Sequence, residues 1–314
     1  MAKLIIAVGL PGSGKDYEYY NNNCRETEEV IMVSSDKIRE ELYGDASVQT
    51  NPAKVFQIMY DRTVATLAKN QNVYYNATNL VAKRRKALIQ NIRSDKRLSK
   101  IDIQIIAYLV VPPYEVCFER NSKRDRVVPQ YAMERMFKSF EPPHKSEGWD
   151  TIRVTGCDGD MREIIKILDK ADKMPHDNHH HPEYIGTHMR LAEEKAKLLE
   201  PENLVLRYAA RTHDLGKVYC KTFTNRKGEP TDEAHFYNHQ NVGTYIWLSH
   251  CYLFTFGMIS EIDFKIAHLI FNHMKFFEGE KAIKKVREKY GEEFYDTLLK
   301  LHACDIAAKG KSLE

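Results

Sequence analysis

No stretch of the 314 residues approaches the roughly 18 consecutive apolar positions of a membrane-spanning helix, so no membrane partner is expected. The opening run MAKLIIAVGLPG is apolar but short, and it passes straight into glycines. That reads as a buried first strand rather than a secretory signal. Six cysteines (Cys24, Cys117, Cys157, Cys220, Cys251 and Cys304) lie far apart and form no CxxC pair. This argues against a disulfide framework and for a reducing, cytoplasmic setting. Neither sign of charge dominates: 47 Lys and Arg against 44 Asp and Glu leave a net +3, which excludes neither nucleic acid nor small nucleotides as partners. No internal repeat is visible. What remains is ordinary for a soluble globular chain, with 43% hydrophobic and 29% charged residues and a length suited to about two domains.

The two halves differ in pattern. Residues 3–8, 30–34, 72–76, 103–111 and 149–154 are short apolar or β-rich runs, separated by helix-like segments such as 52–69 and 160–173. Apolar strands alternating with helices predict a doubly wound parallel α/β sheet over a domain at 1–173. Residues 174–182 hold two prolines and no apolar period, and read as a linker. From 183 to 314 helical periods dominate, at 183–199, 203–214, 235–250, 262–273, 280–290 and 293–309, so an all-α domain with no strands is expected.

The sharpest local signal is Gly9-Leu-Pro-Gly12-Ser13-Gly14-Lys15-Asp16, a GxxxxGK loop between a strand and a helix. Backbone N–H groups of such a loop turn in around phosphate oxygens, the helix that follows adds positive potential, and Lys15 reaches the transferred group. ATP or another NTP with Mg²⁺ is the expected cofactor. Position 16 departs from the pattern: a Ser or Thr hydroxyl normally meets Mg²⁺ there, and this chain offers a carboxylate. Asp36 follows the second strand, and Arg39 lies one turn on. A carboxylate there can deprotonate an attacking hydroxyl while the arginine clamps a neighbouring phosphate; the blander reading is a helix-capping aspartate with a surface arginine. A basic run, Arg120-Asn-Ser-Lys-Arg124-Asp-Arg126, ends at Pro129 and suits a flap over the donor phosphates.

Together with Ala77-Thr78-Asn79-Leu80 and Arg84-Arg85, these motifs resemble the phage-type polynucleotide 5′-hydroxyl kinases over residues 1–172. The resemblance implies that Asp36 activates the 5′-OH, Arg39 holds the acceptor's adjacent phosphate, Thr78 lies on the substrate side, and Arg120 and Arg124 touch the donor. An acidic residue usually precedes the Thr-Asn pair, and Asn76 and Ala77 stand in its two places here. Two readings follow: Asp16 replaces the lost carboxylate at the Mg²⁺ site, or the domain binds nucleotide without transferring phosphate.

In the second half, His188, His213-Asp214, His239, His273 and Asp305 come in series from several helices. Imidazole and carboxylate together suit first-row divalent metals, and helical bundles build such sites from facing helices. Lys217, one turn beyond Asp214, is expected to meet a phosphate. The forms Gly-Thr-His188, Thr-His-Asp-Leu-Gly-Lys217, Asn-His239-Gln-Asn-Val-Gly and Ala-Cys-Asp305 resemble the HD superfamily of metal-dependent phosphohydrolases over residues 176–314. The resemblance implies one metal on His188, His213, Asp214 and Asp305, and a second on His239 and His273 bridged by Asp214, of the Mn, Co, Ni or Zn class. It also implies phosphate contacts from His180 and His181. The other histidines, His176 among them, read as structural or surface residues.

A 5′-hydroxyl kinase fused to an HD phosphohydrolase resembles bacterial end-healing enzymes. These restore 5′-phosphate and 3′-OH termini from 5′-OH and 3′-phosphate or 2′,3′-cyclic phosphate ends. The implied partners are nucleic-acid ends, RNA ahead of DNA, with a ligase partner and a homodimer left open. Two alternatives stand beside it: an HD nucleotidase regulated by a degenerate ATP-binding module, and a small-molecule kinase-phosphatase.

Overall fold

A computed structural model describes residues 1–21, 29–157, 161–179, 182–250 and 260–309. The chain divides into two compact units, Met1–Met136 with Pro143–Cys157, and Phe137–Pro142 with Asp158–Glu314.

The first unit begins with β1 (Ala2–Val8), α1 (Lys15–Tyr20), β2 (Val30–Ser34), α2 (Ser35–Tyr43), α3 (Pro52–Leu67) and β3 (Asn72–Asn76). It continues with α4 (Ala82–Ser94), β4 (Ile103–Val110), α5 (Tyr114–Ser122), α6 (Gln130–Phe137) and β5 (Thr151–Thr155). All five strands pair in parallel, in the order β2-β3-β1-β4-β5. Period-2 alternation sends Leu4, Ile6, Ile105 and Ala107 into one core with Met59, Leu67 and Ile89. Ile5, Ala7, Ile106 and Tyr108 go to the opposite core with Tyr74. Both faces are covered, which is why these strands read as near-continuous apolar runs. Strand order reverses at β1, so the crevice at its carboxyl end is where such sheets take ligands. The parallel-sheet expectation holds.

The second unit comprises α7 (Met161–Asp172), α8 (Ile185–Leu199), α9 (Leu204–Thr212), α10 (Lys217–Cys220), β6 (Thr222–Thr224) and β7 (Pro230–His235). After these come α11 (His239–His250), α12 (Glu261–Asn272), α13 (Glu280–Tyr290) and α14 (Glu292–Ala307). It is helical but not all-α, because β6 and β7 pair as an antiparallel hairpin. The Asn225 N–H donates to Glu229 O at 2.8 Å, and its side chain accepts from the Lys227 and Glu229 N–H groups. A side-chain-built turn of this kind needs no apolar run on either side. The helix expected from 235 starts instead at His239.

Two further differences concern the boundary. Residues 174–179 are tied down rather than free: Pro175 bridges Tyr184, and Lys221 Nζ donates to Pro175 O at 2.5 Å and to Asp177 Oδ2 at 2.6 Å. Helix α7 packs in the second unit, where Asp172 pairs with Arg190 and its backbone N would lie 2.6 Å from a Cβ on Gly186. Residues 137–142 join that unit as well. The rings of Phe137 and Phe140 meet Tyr245 edge-on at 5.2 and 5.1 Å, and Asn241 Nδ2 donates to Phe140 O at 2.9 Å. No helix among the described residues is long and apolar enough to cross a membrane.

Candidate functional site

In the first unit the loop after β1 is wedged on two sides. Gly9 N–H donates to Thr78 O at 3.0 Å, tying the loop to the exit of β3. Gly12 has φ +75°, and a Cβ there would lie 2.2 Å from the Cys117 carbonyl of α5, so only glycine fits. Lys15 Nζ donates to Leu10 O at 2.7 Å and Gly9 O at 3.1 Å, and lies 3.3 Å from Oγ of the buried Ser13. Part of Lys15 reaches solvent, yet burial of its ammonium under the loop pulls it down to about 8, with nearby Arg124 pushing the same way against Asp16. Arg120 Nη1 lies 3.5 Å from the point where a Cβ on Gly14 would sit. The predicted donor-side residues are thus together.

Asp36 lies in the first turn of α2, and Arg39 Nη1 donates to its Oδ1 at 3.1 Å. Arg126 Nη1 lies 2.8 Å from the other oxygen, Oδ2. In the sequence Arg126 is one member of a basic run, marked only by its position two residues past Arg124. The turn carrying it is pinned at its base, where the Asn121 side chain donates to Val128 O and accepts from Val128 N–H. Thr78 gives its carbonyl to Gly9, and Asn79 Nδ2 donates to Ala7 O at 2.7 Å, which sews β3 to β1. Asp16 Oδ1 accepts from Asn76 Nδ2 at 2.5 Å. Of the Arg84-Arg85 pair, Arg85 is structural: it is buried against Glu147 and also donates to Asn79 O and Leu80 O.

The second unit gathers the whole His/Asp series. Asp305, on α14, lies with Oδ1 3.0 Å from His188 Nε2 of α8 and 3.7 Å from His213 Nε2. Asp214 Oδ2 lies 3.4 Å from His213 Nε2 and 3.7 Å from His188 Nε2. Its Oδ1 lies 3.2 Å from His239 Nε2 and 3.6 Å from His273 Nε2. Two buried triads result, His188–His213–Asp214 and Asp214–His239–His273, with Asp214 in both. His213 and Asp214 occupy the turn after α9 rather than a helix, and Gly216 lets that turn close on α11, where a Cβ would lie 2.0 Å from His239 O.

The tautomers test whether these residues suit a cation. Nδ1 of His213, His239 and His273 each lies 2.7–2.8 Å from a backbone carbonyl, of Ala210, Phe236 and Ile270 respectively. Carbonyls only accept, so each Nδ1 carries a proton and Nε2 is the atom turned towards the cluster, a lone-pair donor once the ring is neutral. Nε2 of His239 and His273 then face each other at 3.0 Å, and His213 Nε2 is buried without a hydrogen-bond partner. Inward lone pairs beside two carboxylates fit a divalent cation. Burial opposes charge on His213, but Asp214 and Asp305 outweigh it and pull it up to about 10; burial pushes His273 down to about 4. Burial likewise opposes ionisation of Asp214, yet Lys217 and His213 hold its carboxyl well below the usual range.

Lys217 Nζ lies 2.6 Å from Asp214 Oδ2 and 3.2 Å from Nε2 of His176, which is buried and gives Nδ1 to Glu183 O at 2.7 Å. Glu183 Oε1 lies 3.1 Å from His188 Nδ1, a carboxylate orienting a candidate ligand ring from behind. Neither residue stands out in the sequence: His176 lies in the prolyl segment 174–182, and Glu183 at the start of the helix expected over 183–199, which begins only at Ile185. His180 and His181 lie outside the described residues.

The AAA domain family matches residues 4–143. Chains of the Pnkp1/Rnl/Hen1 complex are similar at 23% identity, over 41% of this chain and 41% of that one, with a TM-score of 0.32. A second structure, of the Pnkp1/Rnl/Hen1 RNA repair complex, gives 22% over 44% and 43%, with a TM-score of 0.36. Chaetomium thermophilum Kti12 in complex with ADP-AlF3 gives 18% over 53% and 96%, with a TM-score of 0.35. The matched region spans about two fifths of the first two chains. With its strand order, glycine loop and Lys15, the first unit is a P-loop domain of the kinase fold, which implies ATP or another NTP with Mg²⁺.

Proposed function

We propose that the chain is a nucleic-acid end-healing enzyme that phosphorylates 5′-OH ends and removes 2′,3′-cyclic, 2′- or 3′-phosphates, RNA ends ahead of DNA ends. One observation carries the reading: a phosphate-donor loop with a carboxylate–arginine pair in one unit, and a buried cluster hinged on Asp214 in the other. A single chain then adds phosphate at one kind of end and removes it at another.

In the kinase reaction Asp36 takes the proton of the 5′-hydroxyl as that oxygen bonds to the γ-phosphorus and the bond to the ADP oxygen breaks. Arg39 and Thr78 hold the acceptor. Lys15, Arg120 and Arg124 face the donor oxygens, where negative charge grows. In the second unit His188, His213, Asp214 and Asp305 would hold one divalent metal, and Asp214, His239 and His273 a second. Such a metal supplies positive charge for the phosphate and a nucleophile at neutral pH. Asp214 keeps the two triads in register, Glu183 orients His188, and Lys217, beside Asp214 Oδ2, meets a phosphate oxygen.

The second reading, a nucleotide-sensing module that regulates the hydrolase, is favoured by Asp16 standing where the hydroxyl for Mg²⁺ is expected. One assay separates them: the full chain with ATP, Mg²⁺ and Mn²⁺, Co²⁺, Ni²⁺ or Zn²⁺ on a 5′-OH, 3′-phosphate oligonucleotide, scored at both ends. Repair of both ends supports the proposal; an untouched 5′ end beside a processed 3′ end supports the sensor.

A further inference from the structure

A P-loop normally meets its Mg²⁺ through the hydroxyl at the position of Asp16, assisted by an aspartate at the end of a neighbouring strand. The strands beside β1 end without one: β3 closes on Asn76, and β4 on Val110 followed by Val111 and Pro112. The nearby carboxylates are engaged, Glu18 with Tyr108 and Thr155, and Asp36 with Arg39 and Arg126. Asp16 differs. It is exposed, and its Oδ1 accepts from the amide of Asn76 at 2.5 Å. The second hydrogen of that amide faces Met32 Sδ at 3.7 Å, and Tyr74 OH donates to Lys15 O at 2.9 Å, fixing the start of α1 against β3.

We propose that Asp16 supplies the carboxylate that holds the nucleotide's divalent cation, with Oδ1 oriented by Asn76 and Oδ2 left for the metal. The inference rests on the nucleotide-binding reading of the loop. It explains why an amide stands at position 76: a carboxylate there would lie against Asp16, and two such groups in contact repel. The exchange has a cost that reveals it. Without a cation Asp16 repels the phosphates, so this chain depends on metal for nucleotide binding more than a hydroxyl-bearing loop does.

The test measures binding of ATP to the full chain with and without Mg²⁺, and of Mn²⁺ by paramagnetic resonance in the presence of ATP. Wild type is expected to bind ATP weakly without metal and tightly with it. Asp16→Ala should bind metal-free ATP at least about fivefold better, the effect of removing one charge about 4 Å away in water, and should lose the gain from Mg²⁺ together with the Mn²⁺ signal. Asn76→Ala should weaken Mn²⁺ by about 10–100-fold, as loss of an orienting partner does. Asp16→Ser with Asn76→Asp should regain metal dependence, and thermal unfolding checks that each variant is folded. An Asp16→Ala protein that keeps the full Mg²⁺ gain overturns the proposal while leaving the nucleotide reading intact. No binding of ATP by wild type in either condition overturns the nucleotide reading, and this inference with it.

Discussion

The two units treat their polar chemistry in opposite ways. In the first, Lys15, Asp16, Asp36 and Arg126 sit on loops and helix starts beyond the strand ends, while the sheet beneath is packed with Leu4, Ile6, Ile105 and Met59. In the second, His188, His213, Asp214, His239, His273 and Asp305 are themselves buried and stand where a helical bundle would carry aliphatic side chains. A site laid over a core can be damaged without touching stability. A site that is the core cannot, because each of its groups is a buried charge or dipole compensated by another.

The largest expected effect strikes the second unit. Asp214→Ala should abolish hydrolysis and lower stability by about 3–5 kcal/mol, since Lys217 and His213 lose the charge that compensates them. Denaturant titration and metal analysis check this, and 5′-end phosphorylation should persist. Lys15→Ala should lose about 10²–10³ in kinase rate, with stability lowered by no more than about 1.5 kcal/mol through the lost loop hydrogen bonds and hydrolysis unchanged. A Lys15→Ala protein as unstable as Asp214→Ala would erase the contrast. Glu183→Gln keeps the shape and removes the charge behind His188, and is expected to cost about 10–100-fold in metal affinity by competition against a chelator. The smallest effect is one of pH. Lys15, held at about 8 before ligand arrives, is partly neutral above that value, whereas phosphate demands the ammonium. Nucleotide affinity should therefore decline as pH rises through about 8, with a proton taken up on binding that appears as a buffer-dependent enthalpy in calorimetry.

The difference between the units also explains what could be read from sequence. The P-loop was legible because all its constraints are local: glycines, Lys15 and Asp16 lie within one turn of chain. The His/Asp series was legible as an ordered set, since HD and its flanking Leu-Gly-Lys217 are contiguous. Arg126 was not separable from its neighbours, because its contact with Asp36 comes from a turn that Asn121 closes back onto Val128, a non-local feature. His176 comes from a prolyl segment that resembles a linker until Pro175 bridges Tyr184, and Glu183 from the expected start of a helix that begins only at Ile185, so neither stood out. The β6–β7 hairpin escaped notice because its strands are short and polar and its turn is made by the side chain of Asn225.

Residues 137–142 have a consequence for the order in which the protein can be made. They belong with Tyr245 and Asn241, yet the chain on either side of them, up to Met136 and from Pro143 to Cys157, belongs to the first unit. On a ribosome, Phe137 and Phe140 emerge long before Tyr245, which is 105 positions after Phe140. At about 5–20 residues per second the two rings wait roughly 5–20 seconds for their partner. The nascent chain must therefore shield an apolar loop while its first unit is already closing. For the same reason no single cut yields both units whole: a fragment starting at 176 would lack α7, Phe137 and Phe140, and so part of the packing of the second unit.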